Sequence, residues 1–197
     1  MKVKHSEDIL TTIGILWNVT EKFSRQVMLE LSTQYMITEV QLYDLKEKYE
    51  DFVTDIYRGD VSEERISQKL EHMSNEHMRN IVVFVLEVSK PQFHVIERKK
   101  HISCMQVDEI KDEIRKKYSN KVENYFFDII LHMTDNDNEK ENTLRVLDKY
   151  KDYCKKHYTR KGFSSIIRAG DSHSQVKYYN DVLKELKVRD KDDERGS

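Results

Sequence analysis

Phe126 to Tyr150 reads FFDIILHMTDNDNEKENTLRVLDKY. It begins as a compact apolar run, Phe126-Phe127-Asp128-Ile129-Ile130-Leu131, and breaks into a polar turn, His132-Met133-Thr134-Asp135-Asn136. A helical pattern resumes at Asp137 and is predicted to run to about Tyr158. A buried strand that passes into a helix through a short polar loop is the repeating unit of an open α/β sheet. The stretch therefore predicts an α/β, three-layer domain with a mostly parallel central sheet. In such sheets ligands sit beyond the carboxyl ends of the strands, beside helix N-termini.

The chain on either side supplies further units. Strands are predicted near Ile13–Val19, Ile37–Leu42, Ile81–Val88, Phe126–Leu131 and Phe163–Ile167. Ile81–Val88, IVVFVLEV, is the most continuously apolar and suits a central strand covered on both faces. Gly14, inside the first strand, marks a close backbone approach. Phe23, Val27, Leu31 and Tyr35 recur at every fourth position and predict a helix over Glu21–Tyr35. Lys46–Tyr57, Ser62–Met73, Gln106–Tyr118 and Ser172–Leu186 read as helices too, with Ile66, Lys69, Leu70 and Met73 on one side of the third. Phe93–Ile102 fits either an edge hairpin or a loop. Residues 1–188 read as a single α/β domain and 189–197 as a charged, disordered tail.

Two units echo each other. Ile130-Leu131 aligns with Ile166-Ile167, Asp135 with Asp171, Glu139 with Gln175, and Val146-Leu147 with Val182-Leu183. An Asp at each corner would cap free N–H groups and suit the helix dipole, which accounts for it without any chemistry. If the two corners are adjacent, they gather donors and acceptors at one sheet edge. His132, Asp135 and His173 are then the catalytic candidates, His132 as a general base or as a hydrogen-bond donor to a phosphate oxygen. Thr134, Asn136, Arg168, Gly170, Asp171 and Ser172 are the substrate-binding candidates. Each histidine also reads plainly, His132 as a ring satisfied at a strand end and His173 as a solvated side chain.

Charged residues make up 36% of the chain and hydrophobic residues 38%, so a modest core is wrapped by charged helices. A net charge of −2 gives no general field for nucleic acid or an anionic membrane. Cys104 and Cys154 are the only cysteines. With no leader pattern they suggest free thiols and a cytoplasmic setting. No apolar run is long enough to span a bilayer. GxGxxG, GxxxxGK[ST] and GxSxG are all missing, which weighs against ordinary dinucleotide, P-loop and serine-hydrolase sites. No cofactor is required. Asp135 and Asp171 would hold a divalent metal only if their loops converge, and His94, His101 and Cys104 form only half a zinc site. Trp17 reads as core.

The landmarks Ile15-Leu16-Trp17-Asn18-Val19, the Tyr49–Gly59 helix running into DIYRGD, Ile110–Tyr118 with Ser119-Asn120, and NYFFDIILHMTDN from Asn124 to Asn136 come in an order that resembles a known family. It is the Rossmann-like module of proteins from bacterial surface-polysaccharide loci, near sugar- or polyol-phosphate transferases. The resemblance implies a Rossmann-like domain in a glycan or phosphate transfer setting, with His132, Asp135 and Asn136 as the shared motif. The expected function is a transferase-like domain binding a phosphorylated or nucleotide-linked sugar or polyol at the strand ends. The alternative is a non-catalytic module docking a partner protein.

Overall fold

The structure is a computed structural model that describes residues 9–73, 79–96 and 101–159. Along the chain come β1 (Ile9–Leu16), α1 (Ser24–Gln34), β2 (Met36–Asp44), α2 (Tyr49–Tyr57), α3 (Glu63–Met73), β3 (Asn80–Ser89), β4 (Phe93–Ile96), β5 (His101–Cys104), α4 (Met105–Tyr118), β6 (Leu131–Met133), α5 (Asp137–Lys149) and β7 (Cys154–Thr159). The main sheet has the order β6-β1-β3-β2-β7, and β4 and β5 form a separate hairpin.

Every neighbouring pair of strands is antiparallel. This corrects the expected Rossmann-like, mostly parallel sheet. In β1-α1-β2 the strand β3 lies between β1 and β2, and in β3-α4-β6 the strand β1 lies between β3 and β6. Each helix thus joins two strands of the same direction, but a third strand of opposite direction is inserted between them. Two interleaved split β-α-β units of this kind make the ferredoxin-like arrangement. Hydrophobic periodicity reports that a helix separates two strands and is silent on which strand slides between them. The Rossmann-like fold that the surface-polysaccharide resemblance implied is not the fold found.

Apolar side chains fill both faces of the sheet. On one face Phe23, Val27 and Leu31 of α1 and Val107, Ile110 and Ile114 of α4 pack on Leu16, Val40, Phe84 and Leu131. On the other, α2, α3 and α5 bring Phe52, Val53, Ile56, Ile66, Met73, Val146 and Leu147 onto Ile13, Ile15, Trp17 and Val83. β3 is the central strand, and Trp17 is fully buried, both as the sequence predicts. A Cβ on Gly14 would come within 2.1 Å of the Phe84 ring, so the close approach read from the sequence is real.

Three elements differ from expectation. The strand placed at Phe126–Leu131 is Leu131–Met133. Ile129 and Ile130 are buried ahead of it in irregular chain, and Asp128 turns with φ 63°. Burial made that segment apolar without making it a strand. The helix predicted from Asp137 ends at Lys149, not near Tyr158, and Cys154–Thr159 pairs with β2 as an unforeseen edge strand. Phe93–Ile96 pairs with His101–Cys104, which is the hairpin of the two readings left open by the sequence. The predicted strand at Phe163–Ile167, the helix at Ser172–Leu186 and the tail at 189–197 lie outside the described residues. Among the described residues no helix is long and apolar enough to cross a membrane.

Candidate functional site

Strand β6 forms one edge of the sheet, and a cleft of about 460 Å³ opens along it. Alternation sends Leu131 and Met133 into the α1/α4 layer. His132 therefore turns the other way, edge-on to the Tyr57 ring at 5.4 Å between centroids. The cleft is walled by α2, α3, α4, the loop before β6 and the start of α5.

His132 is 9% exposed, and its Nε2 is sealed from solvent with no hydrogen-bond partner. Burial is the main cause that pushes its pKa down, to about 3, and Lys111, Arg115 and Lys69 push the same way against Asp135. At neutral pH the ring is an uncharged imidazole.

Two cations of α4, Lys111 and Arg115, face the cleft in ion pairs. Lys111 Nζ lies 2.7 Å from Asp108 and 3.0 Å from Asp135. Burial pulls the Lys111 pKa down, but the two carboxylates outweigh it and leave it raised. Arg115 pairs with Asp128 at 2.7 Å and donates to the Leu131 carbonyl at 2.9 Å, tying α4 to the edge strand. Across the cleft, Lys69 sits on the buried stripe of α3 at 2% exposure. It donates to the Phe127 carbonyl at 2.9 Å and lies over the rings of Tyr57 (4.7 Å) and Phe127 (5.8 Å). No carboxylate among the described residues forms an ion pair with it. Burial, opposed by Asp128, lowers its pKa to about 8. Arg65, one turn earlier on the same helix, covers the outer Phe127 ring at 4.9 Å.

The corner after β6 is knitted tightly. Asn136, not Asp135, is the N-cap of α5, its side chain accepting from the Glu139 N–H at 3.0 Å. Glu139 reaches back to accept from the Asp135 N–H at 3.2 Å, a variant of the capping box. Asp135 accepts from Asn136 at 2.8 Å and from Lys111. Burial raises the Glu139 pKa, with Asp135 and Asp60 adding to it, to about 7. Burial also works on Asp135, but Lys111 and the hydrogen bonds hold its pKa below the ordinary value.

Of the residues singled out in the sequence, His132 and Asp135 share the cleft. Thr134 is engaged with β1: its Oγ1 accepts from the Ile13 N–H at 3.0 Å, and its carbonyl accepts from Thr12 at 2.6 Å. Asn136 serves the helix cap. Arg168, Gly170, Asp171, Ser172 and His173 lie outside the described residues, and so does the convergence of the two corners. His94 of the half zinc site hydrogen-bonds Asp108 at 2.8 Å, and Cys104 is buried. Among the described residues no three His, Cys, Asp or Glu side chains group as a metal site. Lys69, Lys111, Arg115 and Glu139 were not anticipated. Lys69 alone carried a signal, since a lysine among Ile66, Leu70 and Met73 interrupts an otherwise apolar stripe.

No family model and no curated protein matches the chain. Among solved structures it is similar to the Aquifex aeolicus nucleoside diphosphate kinase, with a TM-score of 0.47 and 16% identity over 71% of this chain and 95% of that one. It is also similar to the nucleoside-diphosphate kinase of Borrelia burgdorferi, determined as a transition state mimic with bound vanadate and ADP, with a TM-score of 0.41 and 14% identity over 70% and 86% of the two chains.

Proposed function

We propose that the cleft along β6 binds a phosphorylated or nucleotide-linked small molecule and that His132 accepts a proton or a phosphoryl group from it. The observation that carries this reading is an uncharged imidazole set in a cleft lined by Arg65, Lys69, Lys111 and Arg115. A neutral ring keeps a lone pair at working pH, as a general base or nucleophile requires. Nε2 is closed off, so Nδ1 is the nitrogen left to act. Cations that spare N–H groups for a ligand can take up phosphoryl charge. Arg65 and Lys69 are placed for this, because no carboxylate holds Lys69 and Arg65 stands exposed at the rim.

The test is a thermal-shift and calorimetric panel of mononucleotides, sugar nucleotides, polyol phosphates and pyrophosphate. At least one should stabilise the protein. Arg65→Ala should weaken that binding several-fold without moving the melting point of the empty protein. His132→Gln should keep binding and lose turnover of the bound compound. Silence across the whole panel would overturn the reading.

A second reading, a non-catalytic docking module, is favoured by the β4–β5 hairpin. Phe93, Val95 and Ile102 stand 54%, 65% and 58% exposed on it. Exposed apolar side chains grouped on one hairpin suit a protein surface better than solvent. Under that reading no small molecule shifts the melting point, and charged substitutions on the hairpin abolish partner capture while leaving the fold intact.

A further inference from the structure

We infer that Lys69 is a carbonyl-capturing amine, which condenses in the cleft with an aldehyde or ketone group of the substrate to form an imine. The inference rests on the phosphate-binding reading only for the second half of the substrate: it names the class as a phosphorylated aldehyde or ketone.

The placement is the argument. A lysine normally keeps its ammonium group in water and buries only its stem. Here the ammonium itself is buried, at 2% exposure, and yet it lines an open cleft. One of its three N–H groups is taken by the Phe127 carbonyl and two aromatic faces lie against it, while the charges of Asp128, Asp60, Arg115 and Arg65 act on it without an ion pair. A purely structural cation at this depth would be matched by a carboxylate, as Lys111 is matched twice in the same cleft. Lys69 has the setting of a lysine kept for its nitrogen: desolvated, beside other cations, with access to a bound molecule.

Its acidity agrees with that geometry. With a pKa of about 8, about a tenth of Lys69 is free amine at pH 7. That is about 300-fold more than for an ordinary lysine near 10.5.

The chemistry balances without any redox partner. Lys69 first gives up its ammonium proton to solvent. The amine lone pair then forms a C–N bond to the carbonyl carbon, the C=O π pair moves to oxygen, and a proton passes from nitrogen to that oxygen, giving a carbinolamine. Loss of its hydroxyl needs one further proton and releases water, leaving the protonated imine. Glu139 lines the same cleft and holds a proton near neutral pH, so an acid for this step is present. Arg65 remains for the phosphate.

The experiment traps the imine by borohydride reduction and maps the modified lysine by mass spectrometry. Two probes are used on the full chain, glyceraldehyde 3-phosphate and glyceraldehyde, at pH 7, with melting curves of the same samples. The expected result is saturable labelling of Lys69, at least ten-fold above Lys111 and the surface lysines. The phosphorylated probe should work at ten-fold lower concentration. Lys69→Arg keeps the charge and should lose the label while retaining the cooperative melt. Equal labelling of Lys69 by the two probes supports the imine and overturns the phosphate reading. A melting shift with the phosphorylated probe but no label on Lys69 overturns the imine and leaves phosphate binding standing. Label scattered over exposed lysines with Lys69 untouched, and no melting shift, overturns both.

Discussion

Lys69 and Lys111 face each other across one cleft, are both largely buried, and are held in opposite ways. Lys111 is clamped between Asp108 and Asp135, and the two carboxylates raise its pKa in spite of burial. Lys69 has a carbonyl and two rings, and burial lowers its pKa to about 8. Burial alone therefore does not decide what a lysine is for. The partner set does: two aspartates make an ammonium part of the frame, and their lack leaves an amine available for chemistry. Both lysines also press on His132 and help keep it neutral.

The largest expected effect comes from removing the framed lysine. Lys111→Met takes the ammonium group away from Asp108 and Asp135, whose side chains are 25% and 6% exposed, and leaves them only their hydrogen bonds with groups such as His94, Ser103 and Asn136. Breaking a buried pair by deleting one member costs about 3 kcal/mol. Urea melts at pH 7 should show that loss. Lys111→Met combined with Asp135→Asn should recover part of it, since only one carboxylate, Asp108, is then left without its ammonium.

A second effect lies in the groups between the two lysines. The His132 pKa is depressed to about 3, so its contribution to stability is full above its ordinary value near 6.5 and is lost as pH falls. The Glu139 pKa is raised to about 7, so its contribution is full below the ordinary value near 4.5 and is lost as pH rises through 7. Between pH 4.5 and 6.5 the folded chain holds a proton on Glu139 where the unfolded chain holds one on His132. The two slopes oppose, and the wild type should be nearly flat across that window. Glu139→Gln should leave the His132 slope, a loss of about 2 to 3 kcal/mol as pH falls through those two units. His132→Gln should leave the reverse slope, a loss as pH rises. Parallel curves for all three proteins would show that neither group is buried as described.

How far the sequence reaches is clear from particular residues. The apolar run Ile81–Val88 marks the central strand, every fourth residue from Phe23 marks α1, and Gly14 marks its contact with Phe84. These are local patterns, and locality is what a sequence records. The direction of neighbouring strands is not local: it depends on β3 inserting between β1 and β2. The run Phe126–Leu131 misled because an irregular segment packed into a core is as apolar as a strand. His132 and Asp135 were singled out, since a histidine ending an apolar run stands out, and both line the cleft. Lys111 and Arg115 were not, because one turn of a charged helix looks the same whether its lysine faces water or a buried aspartate. Lys69 was visible as a cation on an apolar stripe, and only the structure supplies its missing carboxylate.

The smallest effect is the sharpest test of the comparison. Lys69→Met keeps the length of the stem and its packing on Tyr57 and Phe127 while removing the ammonium. It loses one hydrogen bond to the Phe127 carbonyl, worth about 1 kcal/mol, and it relieves a desolvated charge that Asp128 offsets only in part. These oppose, so the urea midpoint at pH 7 should stay within about 1 kcal/mol of wild type. The pH dependence fixes the sign. The folded chain gives up the Lys69 proton near pH 8 and the unfolded chain only near 10.5, so the wild type gains stability between those values. Lys69→Met lacks that gain, and wild type should improve relative to it from pH 8 to 9.5. For Lys111 the direction is reversed, because its raised pKa gives stability that fades as pH rises. Should Lys69→Met instead lose as much as Lys111→Met, the ammonium of Lys69 would be part of the frame after all, and the carbonyl and two rings would be its sufficient partners.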